Sequence, residues 1–598
     1  MGPAARERER LRPRQSAGAA AADAPPPPLQ ASIGSALELY ALLFVYAAEP
    51  VQAVQAAALE RFLTPHARLA AGWKISLHVN VLTVAIGILK EAVHHRRAHV
   101  RVGAAAAEVF QRMALQGLVA EVEPVRMASA EMVGRLAAAC GPVATDALLT
   151  TVIDLIMQNA DPAVRSGACI ALGLVCAYVG VIAVGSHLPN VVSILHGLTT
   201  DPNVTVHAWA FGALWLVMSN AGLMFEPYLA STIDVMTRVL ASEAHQRTHV
   251  AVKGDNATVY PTLGRVLNAL VGVIGPELNA QPHMRDFCFA IYGILKTSDN
   301  PFIVVEAIHC IGHFILFSKE WVHGQALIPF LQSHITARAT GIHVHITRKA
   351  AVACLYQLSR RDPLAVSQTA SGREIEEQIM ALLDVETDPG VRSEIRDIMF
   401  VLVAATAAHW PSRWIALAQA ILFRGAHAGA RQPRPGSGSM TSSAASHANG
   451  VAGPDPTSRW RTHVLAIELL IAVIDAAFAS GDAACVHLAT ARAAERAGRG
   501  TDFLVLQLGD LVKLAFTAAT STIDMVRMEG LTLLQRLMDG FAHVEDSDVG
   551  GQMILVQYQA QISASLVPGF QADNSPLVVS AACRASVPYL ASSMTRDV

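Results

Sequence analysis

The sequence predicts an all-α fold, a HEAT/armadillo-type α-solenoid of antiparallel helix pairs. Three observations carry this expectation. Alanine supplies much of the 52% apolar content while aromatics are only 6%, a balance that favours helix over strand. Apolar residues recur at helical offsets through most of the chain. Starts of the form Asp-Pro-x-Val or close to it follow one another from Pro124 to Pro389 at intervals of 38, 40, 99 and 88 residues, the last two suiting two repeats each, as stacked helix pairs of about 40 residues would give. At 598 residues the chain is too long for one compact core, so several domains or one extended array is expected.

Residues 1–32 are rich in Arg, Ala and Pro and end in the run Pro25–Pro28; they read as a disordered or extended arm. The start is basic but carries Glu7 and Glu9, and no apolar run follows as in a secretory signal. A mitochondrial presequence stays open, although acidic residues are unusual in one. Met1-Gly2-Pro3 lacks the Ser or Thr of a myristoylation context. Helices are then expected over 37–48, 51–63 and 72–93, separated by the breaks at Pro50 and Pro65.

The repeat starts define the next part. After Pro162, Val164, Ala168, Ala171 and Val175 fall at i, i+4, i+7 and i+11. After Pro202 the same offsets hold Val204, Ala208, Phe211 and Trp215; after Pro301, Ile303, Ala307, Cys310 and Phe314. After Pro389 they hold Val391, Ile395, Ile398 and Leu402, and after Pro576, Val578, Ala582, Ala585 and Tyr589. A weaker copy without the Asp begins at Pro124. Each set lies on one helix face. Asp offers an N-cap oxygen, and Pro fits a first turn whose N–H has no partner. The wider interval between Pro202 and Pro301 implies an insertion, placed at the polar stretch 241–260. Arg165 and Arg392 follow the core Val directly, as Arg often does in HEAT units.

Residues 424–459 are dominated by Gly, Ser, Ala and Pro without apolar periodicity and read as a flexible linker. Helices resume over 460–479, 503–520, 523–540 and 576–590, with Val526, Gly530, Leu533 and Leu537 in the same offsets. The domain plan is therefore an arm (1–32), a HEAT-repeat array (33–423), the linker (424–459) and a second HEAT-repeat segment (460–598). No polar capping helix closes the chain before Val598, so a section of a longer array is expected.

Between Arg165 and Asp201 there is no Asp, Glu, Lys or Arg. Such a run is either a membrane span or the inside of a stacked array. Gly180, Gly185 and Pro189 divide it as two packed helices and a turn would require, and its flanks lack a Lys/Arg cluster. The array is the expectation, and Trp215→Asp is then expected to unfold this region.

Nothing catalytic emerges. Phosphate-loop, HExxH, GxSxG and zinc-finger patterns are absent. His94, His95 and His99 stand beside Arg96 and Arg97, a cationic helix end rather than a ligand set. His343 and His345, near Arg348 and Lys349, lack a third ligand. Asp384, Glu386 and Asp388 precede a helix, where its dipole explains them. Eight cysteines without a CxxC pair read as reduced, buried small hydrophobes of a cytosolic protein. No enzyme, cofactor, metal or small-molecule substrate is expected, and a net charge of −3 offers nothing for nucleic acid.

Several blocks resemble one HEAT family. They are SGACIALGLVCAYVGVIAVGSHLPNVVSIL (166–195), VHAWAFGALWLVMSNAGLMFEPYLASTIDVMTRVL (206–240), YPTLGRVLNALVGVIGPEL (260–278), WRTHVLAIELL (460–470), DFLVLQLGDLVKLAFTAATSTIDMVRMEGLTLLQRLM (502–538) and ILVQYQAQISASLVPGF (554–570). Together they resemble HEAT repeat-containing protein 5, a large clathrin-adaptor accessory protein whose members are much longer. The resemblance implies a non-enzymatic cytosolic scaffold, peripheral on the trans-Golgi network, endosomes and clathrin-coated vesicles. It implies association with adaptor protein complex 1 through bridging proteins, and it places no partner-binding residue. Architecture alone leaves nuclear-transport or phosphatase scaffolds as alternatives, and the apolar run leaves an integral membrane protein as a third.

Overall fold

The computed structural model describes residues 28–63, 71–94, 101–241, 259–337, 341–368, 370–423, 459–498, 502–546 and 552–592, with Gly500 and Gly550. Most of the arm, the insertion and the linker expected at 1–32, 241–260 and 424–459 lie outside them. The described residues are almost wholly helical; their only β feature is an isolated bridge, Glu545 to Met553. The all-α HEAT-type reading holds. Contacts group the chain into two units: Met1–Trp321 with Ala339–Thr347, and Val322–Arg338 with Arg348–Val598.

The first unit has two layers. One stacks α1 (Pro28–Tyr46), α3 (Ala71–His94), α5 (Glu123–Cys140), α7 (Pro162–Val179), α10 (Val204–Ala221), α12 (Val259–Ile274) and α14 (Pro301–Phe317), each against the next. The other holds α2 (Glu49–Arg61), α4 (Ala104–Leu118), α6 (Pro142–Gln158), α9 (Leu188–Leu198), α11 (Leu229–Ala241) and α13 (Pro282–Lys296). The short α8 (Val181–Val184) and the 3-10 turns Gly222–Tyr228 and Gly275–Asn279 join the layers. The first helix begins at Pro28, inside the proline run, rather than near Leu37.

The second unit repeats the plan. Here α17 (Pro363–Gln368), α19 (Pro389–Thr406), α21 (Trp460–Ala479), α25 (Asp524–Phe541) and α27 (Pro576–Ala591) stack in sequence. Against them lie α15 (Gly324–Ile335), α18 (Ala370–Leu382), α20 (Pro411–Phe423), α24 (Leu508–Ala519) and α26 (Gln559–Leu566). Helix α16 spans Ile342–Arg361; the shorter α22 (Ala483–Val486) and α23 (Leu488–Arg496) follow α21.

The repeat register is the core. Every offset residue named above is buried except Val204 and Tyr589, which are half-buried. The caps follow the expectation at two starts: Asp161 accepts from the Ala163 N–H (2.9 Å) and Asp388 from the Gly390 N–H (2.7 Å). At Pro202 they do not. Helix α10 starts at Val204 and is capped by Asn203, which accepts from the Thr205 N–H (2.9 Å). Asp201 accepts one residue earlier, from the Asn203 N–H (2.8 Å), and pairs with Arg165 at 2.8 Å. The helix is displaced two residues from the sequence register, and Val206, not Val204, is the buried first contact. At α27 the cap residue is Ser575, with no side-chain cap bond.

Four stretches, 72–94, 162–179, 204–241 and 460–479, are long and apolar enough to cross a membrane by length and composition. Neighbouring helices account for much of this. In the second and third, 67% of the apolar window is buried. The third is also broken at Gly222 (φ +52°) by its 3-10 turn. Helix α7 lies between α5 and α10 with α6 behind it. A Cβ on Gly173 would come within 2.8 Å of the Ala213 Cα, so glycine permits that approach.

Candidate interaction surface

Each repeat turn leaves helix-terminal carbonyls without intrahelical partners. At several turns an Arg or His three residues into the following helix meets them. The Arg126 guanidinium donates to the carbonyls of Ala120 (2.9 Å) and Glu121 (2.6 Å), and Arg165 to those of Asn159 (3.1 Å) and Ala160 (2.6 Å). His207 bonds the Asp201 carbonyl (2.7 Å). Arg392 donates to Glu386 O (2.8 Å) and Arg527 to Ser521 O (2.9 Å). A guanidinium has five donors in a fixed fork. Arg165 therefore also grips Asp201 of the next turn, Arg527 reaches Asn574, and Arg348 reaches Glu386 (3.4 Å). The arginines after the core valine are thus structural, and this edge of the stack is occupied by its own bonds.

Other charges knit the same layer laterally. Arg135 pairs with Glu131 (2.8 Å) and stands over the Tyr178 ring (4.4 Å). Arg265 lies 5.3 Å from the Trp215 ring and pairs with buried Glu306 (3.1 Å), which also meets His309 (3.5 Å). In the second unit Arg396 pairs with Glu468 (2.8 Å) and Arg536 with Asp475 (2.7 Å). Burial, then the Glu468 charge, raises the Glu529 carboxyl against the pull of Arg396 and Arg584. Arg413 holds Glu376 at 2.6 Å and the Ser367 carbonyl at 2.8 Å. Its partners lie in earlier helices, so nothing local marks it.

The groups singled out in the sequence are dispersed. His94 ends α3; His95, Arg96, Arg97 and His99 lie outside the described residues. His345 lies on α16, and among the described residues no three His, Cys, Asp or Glu come together as a metal site. The acidic trio needs correcting, because the helix dipole accounts for Asp388 alone. Asp384 turns to Thr462, and Glu386 accepts from the N–H groups of Thr387 (2.9 Å) and Asp388 (3.0 Å). Asp388 caps α19 and binds Lys349 (2.8 Å). Burial opposes ionisation there, but Lys349 and the helix N–H groups outweigh it and hold the carboxyl below its ordinary range. All eight cysteines are free, and two, Cys140 and Cys583, are exposed rather than buried. Burial pushes the Cys176 and Cys288 thiols up to about 12, which keeps them protonated and unreactive.

The second unit has a cavity of about 170 Å³ between α18, α20 and α21. It is lined by Glu377, Asp384, Val385, Leu417, Ile421 and His463. Burial lowers the His463 imidazole. A wider groove of about 450 Å³ between α25 and α27 carries Asp539, His543 and Arg584. These features define a HEAT-repeat scaffold, whose chemistry is surface contact.

Residues 503–598 match the family model described as the Laa1/Sip1/HEATR5 HEAT repeat region. The chain is 24% identical over 544 residues to Protein SWEETIE of Arabidopsis thaliana, an alignment covering 88% of this chain and 23% of that protein. It is 32% identical over 88 residues to AP-1 accessory protein LAA1 of Saccharomyces cerevisiae, covering 15% of this chain and 4% of that protein. It thus spans less than a quarter of the length of these relatives. Similar solved structures include importin beta (15% identity, TM-score 0.45, 89% of this chain and 64% of that chain) and Kap121p (12%, 0.45, 94% and 53%). The resemblance read from the sequence is borne out over residues 503–598, which match that family's repeat region, and is supported by the alignments with these two relatives.

Proposed function

We propose that this chain is a non-enzymatic scaffold of clathrin-adaptor-dependent vesicle traffic. It serves protein sorting between endosomes and the trans-Golgi network, including endocytic and retrograde transport. Its proposed partner is adaptor protein complex 1, reached through bridging accessory proteins. Its proposed place is the cytoplasm, peripheral on Golgi, endosomal and clathrin-coated membranes. In the domain plan, expected as 1–32, 33–423, 424–459 and 460–598, the first HEAT segment takes in α1 from Pro28, and the residues before it and the linker serve as tethers. The observation that carries the reading is the alignment with a relative named as an AP-1 accessory protein, supported by the family match over 503–598. Stacked repeats that spend their charges on one another leave surface contact as the working chemistry.

The test is an affinity pull-down of the tagged chain from cells. Recovery of adaptor subunits is expected; a pull-down without adaptor or clathrin-associated subunits overturns the proposal. Carbonate extraction is expected to release the chain from membranes, and retention in the pellet overturns peripheral association.

A further inference from the structure

The two edges of the first unit differ. The edge where one repeat passes to the next is closed by the arginine-carbonyl bonds. The opposite edge is made by the turns within repeats, which open at glycines with positive φ: Gly141 (+89°), Gly180 (+90°), Gly222 (+52°) and Gly275 (+55°). These turns form a continuous row. His187 bonds Asp146 (3.0 Å) between the first two. Helix α8 packs on α10, the Gly222–Tyr228 turn on α12, and the Gly275–Asn279 turn on α14, where Asn279 donates to the Phe317 carbonyl (3.1 Å).

Three consecutive turns each present a large apolar side chain to solvent: Val143 is 85% exposed, Ile182 90% and Leu223 77%, with Met224 beside the last. A folded chain gains nothing by such exposure, and an aligned apolar row marks a contact surface. The charges beside it are of one sign. Residues 141–146, 180–188, 222–228 and 275–281 carry Asp146, Glu226 and Glu277, with His187 and no Lys or Arg.

We propose that this edge of the first unit docks an extended peptide segment bearing apolar side chains at about every third residue and Lys or Arg between them. Neighbouring helices lie ~8–10 Å apart, and a chain extended as polyproline II, with three residues per turn and a rise of ~3.1 Å, returns a side chain to the same face about every 9 Å, so every third residue of the segment meets the next turn. The carboxylates favour a cationic segment and disfavour anionic lipid headgroups. The proposal goes beyond the trafficking reading. Its test uses the purified chain, so it can fail while the adaptor pull-down succeeds, and the reverse.

The experiment is fluorescence anisotropy of the full chain with a fluorescein-labelled peptide of repeated Lys-Leu-Ser, against repeated Glu-Leu-Ser. Saturable binding of the Lys peptide alone is expected, weakening as salt rises. Ile182→Asp with Leu223→Asp is expected to cost about tenfold or more in affinity with the circular dichroism spectrum unchanged. Met157→Asp, at an exposed apolar site on α6 outside the row, should leave affinity as it is. Glu226→Lys with Glu277→Lys should move preference toward the Glu peptide. Absence of binding overturns the proposal. So does binding indifferent to the row variants, or binding of phosphatidylserine vesicles in preference to the peptide.

Discussion

Helices α7 and α19 begin alike and end differently. Both follow Asp-Pro, both are capped by that Asp, and both place Val and then Arg in the first turn. Beyond that, α7 is buried without interruption from Ser166 to Cys176, while α19 is buried along one stripe and carries Glu394, Arg396 and Asp397. The start of a repeat is a local device that satisfies helix ends, so these two helices share it whatever surrounds them. The body of the helix records how many neighbours surround it. Helix α7 lies between helices at close approach and carries no charge beyond Arg165 of its first turn. Helix α19 leaves a face on which Arg396 meets Glu468.

The comparison breaks first at the closely packed end. Trp215, 7% exposed on α10, replaced by Asp loses a buried ring and gains an unpaired carboxylate, a cost of more than about 4 kcal/mol. Hydrogen exchange is expected to show protection lost over α7, α10 and α12; a soluble variant with protection intact contradicts the buried reading. Next come the arginines. The Arg165–Asp201 pair has side chains 14% and 6% exposed, and Arg165 also serves two carbonyls. Arg165→Ala is expected to cost about 3 kcal/mol. Arg396→Ala, from a pair 41% and 23% exposed, should cost at most about 1 kcal/mol and fade in salt. Equal costs in denaturant melts would remove the distinction between the two helices.

The caps sharpen what the two share. Asp161→Ala and Asp388→Ala are each expected to cost about 1 kcal/mol, read as matched shifts in urea midpoint. A smaller effect follows pH. Burial, opposed by the bond to the Asn268 carbonyl, lowers the His313 imidazole below its ordinary 6.5. The unfolded chain then binds more protons as pH falls past that value. Stability is full above pH 6.5 and lost as pH falls through the lowered folded value. His313→Asn should flatten this part of the profile of Tm against pH; an unchanged profile assigns the loss elsewhere.

Much of this was legible beforehand because it is periodic. Val391, Ile395, Ile398 and Leu402 have one apolar face, so their register reads directly from spacing. In α10 both Val204-Ala208-Phe211-Trp215 and Val206-Ala210-Ala213-Val217 are apolar, so spacing could not choose, and Asn203 took the cap from Asp201. The surface proposed to bind was not legible either. Val143, Ile182 and Leu223 stand one repeat apart and look like ordinary core residues until their turns are placed side by side. The glycines before them are the one sequence signal that could have pointed there, since positive φ marks a turn.

By itself the sequence determined the helical class, most of the repeat starts and the family resemblance of residues 503–598. Each rests on residues near one another along the chain. Tertiary structure alone decided which apolar runs lie between neighbours and which face solvent. It also decided that Asp201 joins Arg165 of the preceding repeat to the start of its own helix, and that one edge of the first unit is bonded to itself while the other stands open. Those outcomes depend on what packs against each helix, and the packing partners come from repeats about 40 residues away.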